Sequence, residues 1–299
     1  MTKNIGVTDE AIWQMRQNKT PFKVIAQSLG ISIGAVQGRI FRYEQSQKKK
    51  GVEPKPELFD AELGEPLEIH GDAMIIGDVH VPTTDYDFAQ LVGAVAKKNK
   101  IKKLIIAGDF FNMDMFSSYP QVVDHATWKQ EKMASLQLMK EWNRVFDEIY
   151  IIMGNHDRRL QKWTNGFLDD EDIFAHLMGN AKTTTSNWGH CILKTDTGDW
   201  RITHPKNYSV LQLNVVDHLA NKFQQHIVGH HEHHLAKGWD RFKRYVVINN
   251  GGLFDSDKMA YVMLDDGKNP NMAKGFTMIK GGYATVYGEE PFTNWDEVL

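Results

Sequence analysis

Three short segments of the sequence place a glycine directly before an acidic or amide side chain. They are Gly77-Asp78, Gly108-Asp109 and Gly154-Asn155, and histidines follow two of them as His80 and His156. Each segment comes after a hydrophobic run typical of a buried strand, and glycine permits a sharp turn there. We therefore expect these polar side chains to converge in a crevice beyond the carboxyl edge of a sheet. One Gly-Asp pair would be an ordinary turn, whereas three in this pattern predict a common site.

A histidine-rich segment follows a further hydrophobic run, Ile227-Val228. It reads Gly229-His230-His231-Glu232-His233-His234. Carboxylate, amide and imidazole groups together suit Mn²⁺, iron or Zn²⁺. The segment is therefore predicted to supply a metal ligand, and a solvated run of histidines is the less favoured alternative.

Strand-like and helix-like segments alternate around these motifs. In the first half, three short hydrophobic runs are separated by helical patterns over residues 87–98 and 127–146. Four later β-rich runs fit a second sheet: residues 200–203, 226–228, 245–249 and 275–279. We predict an α/β fold, a four-layer α/β/β/α sandwich of two mixed sheets, preceded by a small all-α helix-turn-helix module.

The order of the motifs resembles the calcineurin-like metallophosphoesterase superfamily. Its pattern is Asp-x-His, Gly-Asp, Gly-Asn-His-Asp, a lone His and a final His-x-His, and the resemblance covers residues 73–255. It implies that Asp78 and His80 bind a first ion, that Asp109 bridges two ions, and that Asn155 and His204 bind the second. It also implies two divalent ions as cofactors, with Mn²⁺ favoured over iron, Zn²⁺ or Ni²⁺.

The same resemblance implies catalytic residues in the third motif. His156 would lie beside the leaving oxygen as a general acid and would not be a metal ligand. Asp157 and Arg158 are expected to join it in catalysis. Arg158 and Arg159 either grip substrate phosphates or begin a helix with solvated charges.

The final motif departs from the family pattern. Counting from Gly229 places Glu232 in the last ligand position, whereas counting His-x-His from the right selects His231 and His233. A one-residue bulge would reconcile the two registers. We favour His231 and His233 as ligands and keep His230 as the alternative.

The first 50 residues are strongly basic, with nine Lys or Arg against three Asp or Glu, although the whole chain has a net charge of −3. Apolar residues recur there at helical spacing, and Ala26, Gly30 and Val36 match the spacing of a helix-turn-helix. The segment resembles homeodomain-like bacterial regulators, most clearly over residues 34–40. DNA is therefore the predicted partner, although a helical cap with solvated charges would give the same pattern.

The second helix of this module would present polar side chains to a groove or to phosphates. The candidates are Ser32, Gln37, Arg39 and Arg42. We predict a helix-turn-helix domain over residues 1–47, a linker over 48–67 and a metallophosphoesterase domain over 68–299.

The composition excludes several classes of protein. The single cysteine, Cys191, cannot form an internal disulfide, and no apolar run approaches the roughly 18 to 20 residues that span a bilayer. The first six residues have no apolar core of signal-peptide length. We expect a cytoplasmic protein without a membrane partner, in the host cytoplasm if a phage encodes it.

The details of the motifs indicate which phosphoester is cleaved. Val81, Phe110-Phe111 and Asp157 stand where serine/threonine phosphatases of the superfamily carry other residues, so a protein phosphatase is disfavoured. The Asn-His-Asp form is similar to the phosphodiesterase and DNA-repair nuclease branches, in a compact bacterial or phage layout. Residues downstream of Asp109 are expected to line the mouth of the site: Asn112, Asp114 and Tyr119.

Three functions remain open at this point. A DNA-targeted phosphodiesterase or nuclease is favoured. A phosphomonoesterase or a small-molecule or cyclic-nucleotide phosphodiesterase is the first alternative. A DNA-binding regulator with a non-catalytic metal site is an alternative of another class.

Overall fold

The computed structural model describes residues 7–49, 65–117, 126–166, 174, 182–259 and 272–299. The chain divides into two compact units, Met1–Glu62 and Leu63–Leu299. Tyr119 and residues 50–64 of the predicted linker lie outside the described residues.

The N-terminal unit contains three helices, α1 (Asp9–Gln17), α2 (Phe22–Leu29) and α3 (Ile33–Lys49). Gly30 ends α2 with a left-handed φ of 65°, and the Ser32 hydroxyl caps α3 by accepting a hydrogen bond from the Ala35 amide at 3.1 Å. The helices bury one small core of Ile12, Ile25, Ala26, Val36 and Ile40. In the described part of the chain no single helix is long and apolar enough to cross a membrane, and α2 with α3 passes that test only as a pair bent by 101°.

The larger unit contains two six-stranded sheets. The strands in chain order are β1 (Glu68–His70), β2 (Ala73–Ile76), β3 (Lys103–Ala107), β4 (Glu148–Ile152), β5 (Thr183–Ser186), β6 (His190–Thr195), β7 (Gly198–Thr203), β8 (His226–Gly229), β9 (Leu235–Trp239), β10 (Val246–Asn250), β11 (Gly275–Lys280) and β12 (Tyr283–Gly288). Sheet A has the order β1-β6-β7-β8-β10-β9, and sheet B has the order β12-β11-β2-β3-β4-β5. Both are mixed, because parallel and antiparallel pairs occur in each.

Helices accompany both sheets. Those described are α4 (Tyr86–Asn99), α5 (Trp128–Trp142), α6 (Arg159–Trp163), α7 (Asn214–Phe223) and α8 (Trp295–Val298). The Asp85 carboxylate caps α4, and a reciprocal capping box between Thr127 and Gln130 begins α5. These capping side chains explain why α4 begins directly after Asp85 and α5 directly after Thr127.

Alternation along the strands separates two layers of core. In β3, Leu104 and Ile106 pack with residues of α4 and α5, while Ile105 and Ala107 face the strands of sheet A. On the far side of sheet A, α7 packs through Val216 on β8 and β10. The order is helices, sheet B, sheet A and helix, which confirms the predicted α/β/β/α sandwich.

Parallel strands bring the motif residues to one edge of each sheet. In sheet B, β2, β3 and β4 are parallel neighbours, so Gly77, Gly108 and Gly154 all lie just beyond the carboxyl edge. In sheet A, β7 and β8 are parallel neighbours that lead directly into His204 and His230. The fold therefore delivers the predicted ligands from five strand ends.

A buried acid on α5 supports the loop that follows β3. Glu131 is 1% exposed, and its carboxyl group accepts a hydrogen bond from the Met113 amide at 2.9 Å. Burial is the main cause that raises the pKa of Glu131, to about 8, and Asp114 and Asp157 act in the same direction. The side chain is therefore neutral in the folded protein at pH 7, whereas it ionises in the unfolded chain.

Glu131→Gln is expected to remove a pH dependence of stability. The pKa of Glu131 is about 8 in the folded protein and about 4.5 in the unfolded chain. Its contribution to the free energy of unfolding is therefore greatest below pH 4.5. That gain is lost as the pH rises towards 8, at about 1.4 kcal/mol for each pH unit. Urea unfolding of the wild type between pH 5 and 8 should show this fall, and Glu131→Gln should flatten it.

The matched control is Glu141→Gln on the same helix, which should keep the pH dependence of the wild type. If the free energy of unfolding falls with pH equally in the wild type and in Glu131→Gln, Glu131 is not neutral in the folded protein.

Candidate metal centre

Several residues at the strand ends adopt left-handed backbone conformations. Five predicted ligands have positive φ: Asp78 (46°), His80 (49°), Asp109 (48°), His231 (81°) and His233 (58°). Non-glycine residues seldom adopt such angles, and each costs on the order of 1 to 3 kcal/mol. The Asp109 carbonyl accepts hydrogen bonds from the amides of Val79 and His80 at 2.9 and 3.0 Å. These backbone contacts hold the first two loops against each other despite the strain.

The glycines before the ligands act in two different ways. Gly108 has a φ of 82°, so the turn itself requires glycine, as the sequence pattern predicted. Gly154 has no such angle, but a Cβ atom there would lie 2.1 Å from the Asp109 Oδ1 atom. Glycine at this position therefore makes room for the carboxylate.

The first group of polar atoms joins Asp78 with two imidazoles. The His233 Nε2 atom lies 3.2 Å from Asp78 Oδ1 and 3.3 Å from His80 Nε2. His80 Nδ1 lies 3.2 Å from the side-chain oxygen of Asn112, so it donates there and turns Nε2 inward. All three residues are buried.

The second group is arranged around Asp109. His204 Nε2 lies 3.3 Å from Asp109 Oδ2 and 3.1 Å from the Asn155 side-chain oxygen. His204 Nδ1 lies 3.0 Å from the Ala107 carbonyl oxygen, to which it donates. His231 is beside this group, with its ring centroid 5.3 Å from that of His204.

The described residues form three sets whose possible ligand atoms all lie within 4.8 Å of one another. They are Asp78 with His80 and His233, Asp109 with His204 and His231, and a middle set of His80, Asp109 and His156. The middle set connects the outer two. The three sets therefore form one continuous centre.

The buried carboxylates of the centre are stabilised by nearby positive charge. Burial disfavours the ionised carboxylates, but the surrounding imidazoles hold the pKa of Asp78 and of Asp109 below the usual range. Burial also disfavours the charged form of His204, yet Asp109 and Asp78 raise its pKa to about 10. A proton on His204 Nε2 thus lies between two oxygen acceptors. A divalent cation would satisfy the same oxygens and suits this set of carboxylate, amide and imidazole donors.

The structure places His230 outside these sets. Its Nδ1 atom lies 3.3 Å from Asp78 Oδ2, and its Nε2 atom lies 3.2 Å from the Asn250 amide nitrogen. The amide donates to Nε2, which leaves Nδ1 to face the Asp78 carboxylate. His230 therefore lies between Asp78 and Asn250, outside the three sets, and its role as the alternative ligand stays a prediction.

His156 is buried between a carbonyl oxygen and a guanidinium group. Its Nδ1 atom lies 2.8 Å from the Asn112 carbonyl oxygen, and its Nε2 atom lies 3.0 Å from Arg159 Nη2 and 4.0 Å from Asp109 Oδ2. Its backbone amide donates to Asp109 Oδ1 at 2.7 Å. Burial is the main cause that holds the pKa of His156 well below its usual value, with His80 and Arg159 acting in the same direction.

Asp157 lies apart from the reacting centre. Its Oδ1 atom accepts from the Phe111 amide at 3.1 Å, and its Oδ2 atom accepts from the Gly154 amide at 2.9 Å. Burial is the main cause that raises the pKa of Asp157 to about 7. Both carboxyl oxygens accept hydrogen bonds from backbone amides, so Asp157 joins the loops after β3 and β4, and its catalytic role stays a prediction.

Arg158 and Arg159 point to different partners. Arg158 donates to the carbonyl oxygen of Asn187, which lies beyond β5. Arg159 donates to Asp114 Oδ1 at 2.7 Å and to the Asn112 carbonyl oxygen at 2.9 Å. Of the two arginines, Arg159 is the one that contacts His156, and the catalytic role of Arg158 stays a prediction.

The predicted nucleic-acid contacts in the N-terminal unit differ in exposure. Gln37 and Arg42 are exposed on α3. The Ser32 hydroxyl caps the helix. Arg39 forms an ion pair with Asp9 and donates to the Val7 carbonyl oxygen, so it joins α3 to the start of α1. Its predicted contact with DNA stays a prediction.

Residues from β10 support the centre and were missing from the sequence analysis. Asn250 donates to the Ile75 carbonyl oxygen at 3.0 Å as well as to His230. Asn249 donates to Glu232 at 2.8 Å, and Glu232 accepts from the Ser209 amide at 3.0 Å. The available signal was an Asn-Asn-Gly sequence at the end of a hydrophobic strand, in which glycine follows the polar residues instead of preceding them as in the other motifs.

Comparison with solved structures finds several similar chains. Vps29 from Chaetomium thermophilum is 12% identical over 74% of this chain and 95% of its own, with a TM-score of 0.40. Vps29 from Entamoeba histolytica complexed with Zn²⁺ is 11% identical over 73% of this chain and 98% of its own, with a TM-score of 0.38. A predicted phosphoesterase from Streptococcus pneumoniae is 10% identical over 73% and 98%, with a TM-score of 0.33.

Comparison of the sequence gives the family. None of the curated proteins matches it. The family model described as calcineurin-like phosphoesterase matches residues 73–234, a segment that includes every side chain of the three sets. Because this match covers more than half of the chain, the protein belongs to the calcineurin-like phosphoesterase family.

Proposed function

We propose that this chain hydrolyses phosphodiester bonds with two divalent ions and that its N-terminal unit directs it to DNA. The observation that carries the catalytic part is that Asp109 belongs to two of the three sets of potential ligands. A carboxylate shared in this way would hold two ions close together, as two-metal hydrolysis requires.

In this proposal the residues divide the work between two cation positions. Asp78, His80 and His233 hold one ion, and Asn155, His204 and His231 hold the other, with Asp109 common to both. When bound, the ions supply Lewis-acid activation of water and of the phosphoryl oxygens, with Mn²⁺ the favoured metal. His156 stands at the edge of the centre, on the side where the resemblance to the family places the leaving oxygen.

The DNA part of the proposal rests on the N-terminal unit. Its α2, Gly30 turn and α3 have the order of a helix-turn-helix, and α3 exposes Gln37 and Arg42. The first 50 residues carry an excess of basic groups, which favours a polyanionic partner. The exposed side chains of α3 are therefore the proposed contacts with bases and phosphates.

Asp109→Asn should remove the ligand that the two ions are proposed to share, and should therefore abolish hydrolysis. With Mn²⁺, we expect turnover of a chromogenic phosphodiester to fall by roughly 10²-fold or more, because a shared ligand is lost. Calorimetry should show that Mn²⁺ stabilises the wild type, by about 2.7 kcal/mol at 100 times Kd, and stabilises the variant less.

Asp147→Asn is the matched control, because Asp147 is exposed and remote from the ligand sets. It should retain both turnover and stabilisation. Stabilisation by Mn²⁺ without turnover of any phosphoester by the wild type would reject the enzyme and leave a non-catalytic metal site.

Arg42→Ala should weaken DNA binding by losing a phosphate contact. We expect the slope of log K against log salt concentration to decrease by about 1 relative to wild type, as measured by fluorescence anisotropy of labelled duplex DNA. Arg144→Ala, an exposed arginine of the larger unit, is the control and should keep the slope.

The same preparations should cleave single- or double-stranded DNA in the presence of Mn²⁺. Hydrolysis of a small phosphoester by a protein that neither binds nor cleaves DNA would replace the DNA proposal with a small-molecule phosphoesterase.

A further inference from the structure

A loop with exposed apolar side chains begins at one of the proposed ligands. The rim loop (residues 205–213) connects His204 to α7. Within it, Tyr208, Val210 and Leu211 are 48%, 71% and 66% exposed. Single exposed apolar residues are normal on a protein surface, whereas a group of them marks an interaction site more often. The rim loop is therefore a candidate binding surface.

The middle of the rim loop is tied to the His-rich segment. The Ser209 amide donates to Glu232 Oε1 at 3.0 Å. Glu232 is 1% exposed and stands in the sequence between two proposed ligands. The rim loop thus leaves the centre at His204 and is tied back to the segment that supplies two further ligands. This contact keeps the backbone of Tyr208, the neighbour of Ser209, beside the His-rich segment.

Further hydrogen bonds hold the rim loop in one shape. Asn249 Nδ2 donates to Glu232 Oε2 at 2.8 Å, and Asn249 Oδ1 accepts from the Leu213 amide at 2.6 Å. The Ser209 hydroxyl accepts from the Leu211 amide at 3.1 Å. The apolar side chains are therefore exposed from a fixed backbone, so a ligand that covers them loses little free energy in ordering the loop.

Lys206 adds an exposed positive charge to the same loop. It lies two residues after His204, and no ion pair joins it to a carboxylate among the described residues. Lysine binds phosphate groups as a point charge. A positive charge together with an aromatic ring is the combination with which proteins bind the backbone and the bases of single-stranded nucleic acid. A duplex keeps its base faces stacked inside the helix, so only an unpaired base can lie flat against Tyr208.

We propose that the rim loop binds an unpaired nucleotide next to the scissile phosphate, with Tyr208 against the base and Lys206 against a neighbouring phosphate. The inference rests on the proposed phosphodiesterase function and names its substrate as single-stranded DNA or the unpaired end of a duplex. Val210 and Leu211 extend the apolar surface of the loop, where a second base or a deoxyribose packs.

Binding without metal separates this surface from catalysis. Fluorescence anisotropy of a labelled oligothymidylate with the full chain, in the presence of a chelator, should show that Tyr208→Ala weakens binding by about 5-fold or more, because a base loses its stacking partner. Tyr208→Phe keeps the ring and should stay within about twofold of the wild type. Unchanged affinity of Tyr208→Ala for the single strand would overturn the proposal.

Two comparisons show whether the effect belongs to an unpaired base. Tyr283→Ala removes a tyrosine that is 75% exposed on β12, and it should leave binding unchanged. A fully paired duplex should bind Tyr208→Ala and the wild type equally, since its base faces cannot reach the ring. Equal losses of affinity for the single strand and for the duplex would contradict selection of an unpaired base.

Lys206→Gln tests the phosphate contact. The slope of log K against log salt concentration for the single strand should decrease by about 0.7 relative to wild type, because one phosphate contact is lost. Lys132→Gln, an exposed lysine on α5, is the matched control and should keep the slope. If the slope is the same in Lys206→Gln and in the wild type, this lysine does not bind a phosphate.

Turnover supplies a readout that a merely structural loop would not change. With Mn²⁺, Tyr208→Ala should raise KM for cleavage of a short oligothymidylate by about 5-fold and leave kcat within about twofold. An oligonucleotide of abasic sites has the same phosphates but no bases, so its kinetic constants should be the same in both proteins. Equal changes with both oligonucleotides would overturn the proposal, because they would mean that the variant disturbs the metal centre.

The proposed function and the role of the rim loop can fail separately. If the wild type hydrolyses no phosphodiester with Mn²⁺, the proposed function is wrong, and the binding measurements still decide whether the rim loop holds an unpaired base. If the wild type hydrolyses phosphodiesters but Tyr208→Ala binds and cleaves oligothymidylate equally well, the function stands and the inference about the rim loop is wrong.

Discussion

Two carboxylates buried at the junction of two sheets impose the main physical constraint on this protein. The side chains of Asp78 and Asp109 are 0% and 2% exposed. An isolated ionised carboxylate in such a place is unstable, so each must be surrounded by donors or cations. Sheet B supplies the carboxylates, and sheet A supplies His204, His230, His231 and His233. The two sheets therefore meet with their carboxyl edges side by side, where residues of both sheets surround the charges.

The strand ends that carry the polar residues of the site could be predicted from the sequence. Hydrophobic runs followed by Gly and a polar residue predicted strand ends, and parallel pairing of neighbouring strands then predicted their convergence. The four-layer fold followed from the alternation of strands and helices, and it is observed. The ligands in the His-rich segment were harder to predict. Both His231 and His233 have positive φ, and no local sequence pattern predicts a left-handed backbone conformation at a histidine. That irregular backbone separates the ring of His230 from the rings of its neighbours.

Side chains that stabilise the loops of the site were harder to predict from the sequence than side chains that face the site. Asp157 lies in a motif and was assigned to catalysis, yet its oxygens bind two backbone amides that follow different strands. Arg39 stood in a basic helix and was assigned to DNA, yet its partner Asp9 lies thirty residues earlier. In both cases the decisive partner is distant in the sequence. Local spacing reveals which residue types gather at an edge, whereas the choice between contacting a substrate and holding a loop depends on tertiary neighbours.

The state of His204 connects the fold with its chemistry. Its Nδ1 atom donates to a carbonyl oxygen, so Nε2 alone can interact with Asp109 and Asn155. Without a cation, those oxygens favour a proton on Nε2, which agrees with the direction in which the two carboxylates raise the pKa. With a cation, Nε2 must be deprotonated to act as a ligand. Proton and metal therefore compete for one position, and either of them lets the buried carboxylates remain ionised.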